Sequence, residues 1–260
     1  MIRFKNKPGL VVYVTCGDPS IAMSREVILA AVDAGADVIE LGVPFSDPLA
    51  DGPVIQRASE RSLGNGTTLR DVLRLAAEVR KMRPQAGLVV FSYLNPIFRY
   101  GLEEFARDAK TAGVDGALVT DLTLEESSDY RFLMHKNGLA TIFLAAPTST
   151  DARLKKIAQA SSGFVYAVSR TGITGARAEL SADAASLVKK IKKYTKLPVA
   201  VGFGISTPDQ FHQVGKFADA AVVGSAIVRL IEENPRRAAK AVGEWIQSLR
   251  SAGSAAAARG

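Results

Sequence analysis

Eight short segments of the chain are apolar almost without interruption, and between most of them lie longer stretches in which apolar residues return every three or four positions. The first set falls near residues 10–15, 38–43, 88–92, 116–120, 140–144, 164–168, 198–201 and 220–223. A strand with one face in water alternates polar and apolar residues, so unbroken runs read as strands covered on both faces. The second set, at residues 20–33, 68–82, 102–112, 125–137, 183–194 and 208–214, reads as amphipathic helices. Alternating strands and helices imply a parallel sheet, and a count of eight favours a closed barrel over an open sheet. The expected fold is therefore α/β: one (β/α)8 TIM barrel over residues 1–250, with extra helices.

A repeated phrase supports the unit structure: AGADVI at 34–39, AGVDGA at 112–117, KNGLAT at 136–141 and FADAAV at 217–222. Each puts small residues after a helical segment and before a strand, where a helix C-cap belongs. Two βα connections are long, residues 44–67 after strand 2 and 169–182 after strand 6. Long loops on that face of a barrel surround the active-site mouth, so both are candidate lids. The tail, residues 251–260, carries neither core pattern nor chemistry and is expected to fray.

Composition narrows the chemistry. The 260 residues, 47% hydrophobic, suffice for a large core. No apolar run reaches about 18 residues and the first nine lack a signal-peptide pattern, so a soluble, cytoplasmic protein is expected. Cys16 is the sole cysteine, which excludes an internal disulfide, and with His135 and His212 it makes no zinc site. A net charge of +7 raises the question of nucleic acid, but the lysines sit in helical stretches such as KKIKK at 189–193, with no binding motif. Solvated helix faces explain them, and an anionic small substrate is compatible with the charge.

The segment VIELGVPFSDPLADGP, residues 38–53, sets Glu40 inside an apolar run and ends its loop at Asp51. An unpaired carboxylate in such a place costs several kcal/mol, which marks Glu40 as a candidate acid–base group with a raised pKa and with Phe45 and Tyr166 as neighbours. A core glutamate paired with an arginine is the structural alternative. For Asp51 the alternatives are an Asx-turn residue or, with Asp47, part of a magnesium site. Three glycine turns, RTGITG at 170–175, GFGIS at 202–206 and VGSA at 223–226, follow strands 6, 7 and 8. Glycines let main-chain N–H groups approach an oxyanion, and Gly224-Ser225 opens a helix, so together they describe a phosphate cup. None is a dinucleotide or Walker fingerprint.

Taken together these residues resemble the α subunit of tryptophan synthase. VVYVTCGDP at 11–19, residues 40–53, YAVSRTGITG at 166–175, GFGIS and GSAIV at 224–228 occur in the family's order, and the similarity runs to about Ile231. The resemblance implies cleavage of indole-3-glycerol phosphate to indole and glyceraldehyde 3-phosphate, without metal or cofactor in this chain. It implies Glu40 as acid and then base, and Asp51 as the carboxylate facing the indole nitrogen. Tyr13, Phe91, Tyr93 and Phe203 are the expected indole walls, with Tyr166 hydrogen-bonded near Glu40. Gly175, Gly204, Gly224 and Ser225 are the expected phosphate ligands, and Thr174 is expected to meet Asp51 when loop 169–182 closes. It also implies a pyridoxal-phosphate β subunit as partner in an αββα assembly, met by residues 44–48, the region near Asn95 and the turn after Asp121. Two departures stand out: Thr123 where the family commonly has proline, and a more basic net charge. A stand-alone lyase, a non-catalytic subunit and another phosphate-binding barrel, such as an isomerase, are the rival readings.

Overall fold

The computed structural model describes residues 2–168, 177–202 and 204–257. Nine strand segments occur among them: β1 (Gly9–Thr15), β2 (Val38–Gly42), β3 (Gly87–Ser92), β4 (Gly116–Val119), β5 (Ala140–Ile142), β6 (Leu144–Ala145), β7 (Val165–Val168), β8 (Val199–Gly202) and β9 (Ala220–Val223). All recorded pairings are parallel, in the order β5-β4-β3-β2-β1-β9-β8-β7-β6. The two ends of that order, β5 and β6, are neighbours along the chain, separated by Phe143 alone. The Phe143 carbonyl accepts the Tyr166 N–H at 3.1 Å. One interrupted strand thus pairs with β4 on one side and β7 on the other, which closes the sheet into the expected eight-stranded barrel.

Side-chain alternation along the strands separates two cores. Val11, Val38, Val89, Leu118, Ile142, Phe164, Ala200 and Ala220 point inward and fill the lower barrel as one buried cluster. The residues between and beside them, such as Val12, Ile39, Leu41, Val90, Ala117, Val165, Val201 and Ala221, point outward into the layer of helices. This double burial is why the strands read as unbroken apolar runs.

Eleven helices are described: α1 (Ile21–Asp33), α2 (Pro53–Gly64), α3 (Leu69–Met82), α4 (Leu94–Tyr100), α5 (Leu102–Thr111), α6 (Ser128–Lys136), α7 (Asp151–Ala160), α8 (Arg177–Ile191), α9 (Pro208–Gly215), α10 (Ser225–Glu233) and α11 (Ala238–Ala257). Their starts are set locally. Ser20 and Thr150 cap α1 and α7, and Thr68–Asp71 and Thr207–Gln210 form capping boxes on α3 and α9. The connection after β2 is not the 24-residue loop expected: its second half is α2, started by Pro53 at N1 and burying Val54 and Ala58. After β7, residues 169–176 lie outside the described residues. The helix there begins at Arg177, earlier than residue 183, through a stretch rich in good helix formers. The last helix is described through Ala257, within the segment expected to fray.

The repeated phrase turns out to carry more than a helix stop. Gly35 and Gly113 have φ of 109° and 77°, as a residue past a helix end requires. In three of the four copies an aspartate precedes the strand and latches neighbouring strands together. Asp37 accepts the Leu10 N–H (2.8 Å), Asp115 the Leu88 N–H (2.9 Å) and Asp219 the Val199 N–H (2.9 Å). Each carboxylate also faces a cation: Arg250 at 3.0 Å, Arg80 at 2.7 Å and Lys192 at 3.1 Å respectively. These latches stitch the N-terminal rim of the barrel, opposite the mouth.

Candidate active site

Two residues above the lower apolar layer, the same inward register continues as Tyr13, Glu40, Phe91, Thr120, Leu144, Tyr166, Gly202 and Val222. These residues line a cavity of 310 Å³ together with Asp51, Ile55, Val168, Gly204, Gly224 and Ser225. The site is therefore the next storey of the barrel interior, left open.

Glu40 stands at the centre of β2, between Tyr13 of β1 and Val89 of β3. It is fully buried. Among the described residues neither carboxylate oxygen has a hydrogen-bond partner. Burial pushes its pKa up to about 8, so the protonated form prevails near neutral pH. The arginine partner of a structural glutamate is absent among the described residues, and the hydrogen bond expected from Tyr166 is not formed. The ring of Phe45 packs on Tyr93, centroids 5.0 Å apart.

Asp51 ends a turn in which its own N–H reaches the Pro48 carbonyl at 3.0 Å. The Tyr93 hydroxyl accepts from the Ala50 N–H (2.9 Å) and donates to Asp51 Oδ2 (3.0 Å). Gln56, in the first turn of α2, holds the Asp51 carbonyl at 2.8 Å. The side chain is thus fixed by a tyrosine from β3's end rather than engaged in an Asx turn. Burial raises its pKa and the Tyr93 hydrogen bond lowers it, with burial the larger effect. Asp47 is exposed, and its carboxylate accepts the Ser46 hydroxyl at 2.6 Å. Among the described residues no group of His, Cys, Asp or Glu could hold a metal ion.

The walls are aromatic on one side, with Tyr13 edge-on to Phe91 at 5.1 Å between centroids. Tyr93, expected as a wall, is not among the residues lining the cavity, and its hydroxyl holds Asp51. Two glycines make room for tyrosines: a Cβ on Gly42 would overlap the Tyr13 hydroxyl, and one on Gly202 the Tyr166 hydroxyl. Gly202 thus serves Tyr166 as well as the turn that follows it. At the far end Gly224 caps α10 without a side-chain bond, leaving the first N–H groups of that helix facing the cavity region. Gly204, at φ 60°, lies beside them. Thr174, Gly175 and Phe203 lie outside the described residues. Thr120, Leu144, Val168 and Val222 carry no chemical signal in the sequence, although the two-residue step from Leu118, Ile142, Tyr166 and Ala220 points to them. Ile55 was hidden because the start of α2 read as loop.

The arrangement offers a buried proton donor beside an aromatic wall, a second carboxylate lining the same cavity, and backbone donors for an anion at one end. It suits a small phosphorylated aromatic substrate.

Comparison with known proteins points the same way. A family model for the tryptophan synthase alpha chain matches residues 1–257. The tryptophan synthase alpha chain of Solibacter usitatus is 52% identical over 238 residues, 92% of this chain and 89% of that protein. Among solved structures, tryptophan synthase subunit alpha from Legionella pneumophila superposes with a TM-score of 0.87 at 38% identity, covering 94% of this chain and 92% of that one. A chain of the tryptophan synthase complex from Pyrococcus furiosus gives 0.86 at 37% identity, covering 94% and 98%.

Proposed function

The chain belongs to the tryptophan synthase alpha chain family, and from that premise we propose that Glu40 and Asp51 carry the cleavage of indole-3-glycerol phosphate to indole and glyceraldehyde 3-phosphate. Indole is a poor leaving group until its C3 gains a proton. Glu40, protonated at neutral pH, gives that proton, and the resulting carboxylate takes the proton of the side-chain hydroxyl as the carbon–carbon bond breaks. Glu40 ends as it began, so no cofactor is required. Protonation at C3 places positive charge on the ring nitrogen, and Asp51, held by Tyr93, opposes it. Tyr13 and Phe91 flank the ring, while Gly204, Gly224 and Ser225 anchor the phosphate and orient the bond to be cleaved. The observation that carries this reading is the fully buried, unbonded carboxyl of Glu40 opening into one cavity with Asp51 and the α10 N-terminus.

A β subunit carrying pyridoxal phosphate receives the indole in this reading. Two large apolar side chains stand exposed on or beside the segments expected to meet it: Leu49 (94%), next to residues 44–48, and Phe98 (69%), near Asn95. Asp121 caps α4 by accepting the Leu94 N–H at 2.7 Å, which joins the turn after Asp121 to the region of Asn95. At the departure from the family pattern, Thr123 donates to Glu126 at 2.9 Å, a side-chain tie where proline would have stiffened the backbone.

The test is indole release from indole-3-glycerol phosphate with and without an added tryptophan synthase β subunit. Slow turnover alone and strong activation by the β subunit are expected. Fast unaided turnover would identify a stand-alone lyase, and no activity in either case would refute the assignment.

A further inference from the structure

The catalytic turn bearing Asp51 leads directly into α2, and the anion end begins α10. These two helices pack against each other, and Ile55 of α2 shares the cavity with Gly224, the N-cap of α10. Away from the cavity they are joined by charge. Arg61 of α2 holds both oxygens of Asp18 in a two-pronged bond, 2.8 Å each. Its remaining terminal nitrogen reaches Glu232 in the last turn of α10, also at 2.8 Å. Arg57, one turn earlier, grips the same glutamate at 2.9 and 2.8 Å. Hydrogen bonds to Arg57 and Arg61 hold the Glu232 carboxyl down to about 2. Asp18 is buried, in the connection between β1 and α1. The same connection is tied to the end of α2 by Ser62 on the Cys16 carbonyl (2.6 Å) and Asn65 on the Pro19 carbonyl (2.8 Å).

We propose that Arg61 is a positioning residue for the reaction: bridging Asp18 and Glu232, it locks α2 to the barrel and to α10, and so sets the spacing between Asp51 and the anion turn at Gly224 and Ser225. The inference rests on the roles given to Asp51 and Ser225 above. One planar guanidinium satisfying two carboxylates on separate elements is a geometry that lysine or a neutral residue cannot reproduce. Misplacement by about 1 Å at a reacting centre costs on the order of a hundredfold in rate.

The test combines Arg61→Met, Asp51→Asn and the double variant, with kcat, KM, inhibition by inorganic phosphate and thermal unfolding measured for each. Arg61→Met is expected to lower kcat by about tenfold to a hundredfold in protein that still unfolds cooperatively, and to weaken phosphate inhibition. On the Asp51→Asn background the same change is expected to alter kcat by less than about twofold, because the group being positioned has lost its charge. Glu232→Gln, which leaves the Asp18–Arg61 bond in place, is expected to show a smaller loss with the same dependence on Asp51, and decides the matter if Arg61→Met does not fold. Arg83→Met removes a comparable two-pronged pair with Asp33 (2.6 Å) at the end of α3 and is expected to leave kcat unchanged. Loss of stability without loss of kcat, or a rate loss that persists undiminished on the Asp51→Asn background, overturns the proposal alone. Full activity of Asp51→Asn by itself overturns the role of Asp51 and the proposal with it.

Discussion

Carboxylates at the two ends of this barrel are treated in opposite ways. At the N-terminal rim, Asp37, Asp115 and Asp219 each accept a strand N–H and face a cation, so their charge is compensated where it lies. At the mouth, Glu40 is buried as deeply as any core residue and has no hydrogen-bond partner among the described residues. The first arrangement stabilises the closed sheet. The second destabilises the ionised protein and keeps a proton available near neutral pH. One end holds the barrel shut, and the other holds a reactive group ready.

That contrast predicts a separation of stability from rate. Glu40→Gln should lose about a thousandfold or more in kcat for indole release with little change in ligand affinity, since only the transferable proton is gone. Near-normal turnover in steady-state assays of that variant would end the distinction. Asp37→Ala should do the reverse: an unfolding free energy lower by about 3 kcal/mol in denaturant titration, because the Leu10 N–H loses its acceptor and Arg250 its counter-charge, keeping the Pro8 and Gly35 carbonyls, with kcat within about twofold of the parent. A rate loss there exceeding the loss of folded protein would mean the rim also serves the chemistry.

The pH dependence of stability sharpens the contrast further. The folded pKa of Glu40, about 8, lies above the ordinary 4.5, so the stability linked to its proton is complete below 4.5 and is lost as pH rises through 8. Glu40→Gln cannot ionise. Its unfolding free energy should therefore rise relative to the parent between those values, by roughly 2–5 kcal/mol at pH 8.5, and the gap should close at pH 4. A gap independent of pH would place the proton elsewhere. The smallest effect is expected for Tyr93→Phe, which removes one hydrogen bond to Asp51: a fall in kcat of about three- to tenfold, with stability changed by about 1 kcal/mol. A loss as large as that of Asp51→Asn would make Tyr93 more than a support.

The barrel was legible because inner and outer strand faces are both apolar, a pattern that only a sheet covered on both sides can use. Glu40 stood out for the same reason, as the exception within such a run. Asp51 did not, because its partner Tyr93 lies 42 positions away and local spacing suggested a turn. The rim aspartates lie inside the repeated phrase, but their role is not local, since a carboxylate's reach to the neighbouring strand is a tertiary fact. The α2 helix was concealed by a Pro-Asp-Gly start that also describes a loop. The tyrosine-for-glycine fits, Tyr13 on Gly42 and Tyr166 on Gly202, join residues far apart in the chain and leave no local trace.

The most direct test of an unpaired, protonated Glu40 as the working group is the pH profile of kcat/KM for indole release, from pH 6 to 9.5. The free protein should lose activity through a single ionisation near pH 8, as the proton leaves Glu40, and this limb should be missing from the residual activity of Glu40→Gln. A profile flat to pH 9.5, or a limb near pH 8 that survives in Glu40→Gln, would contradict the account.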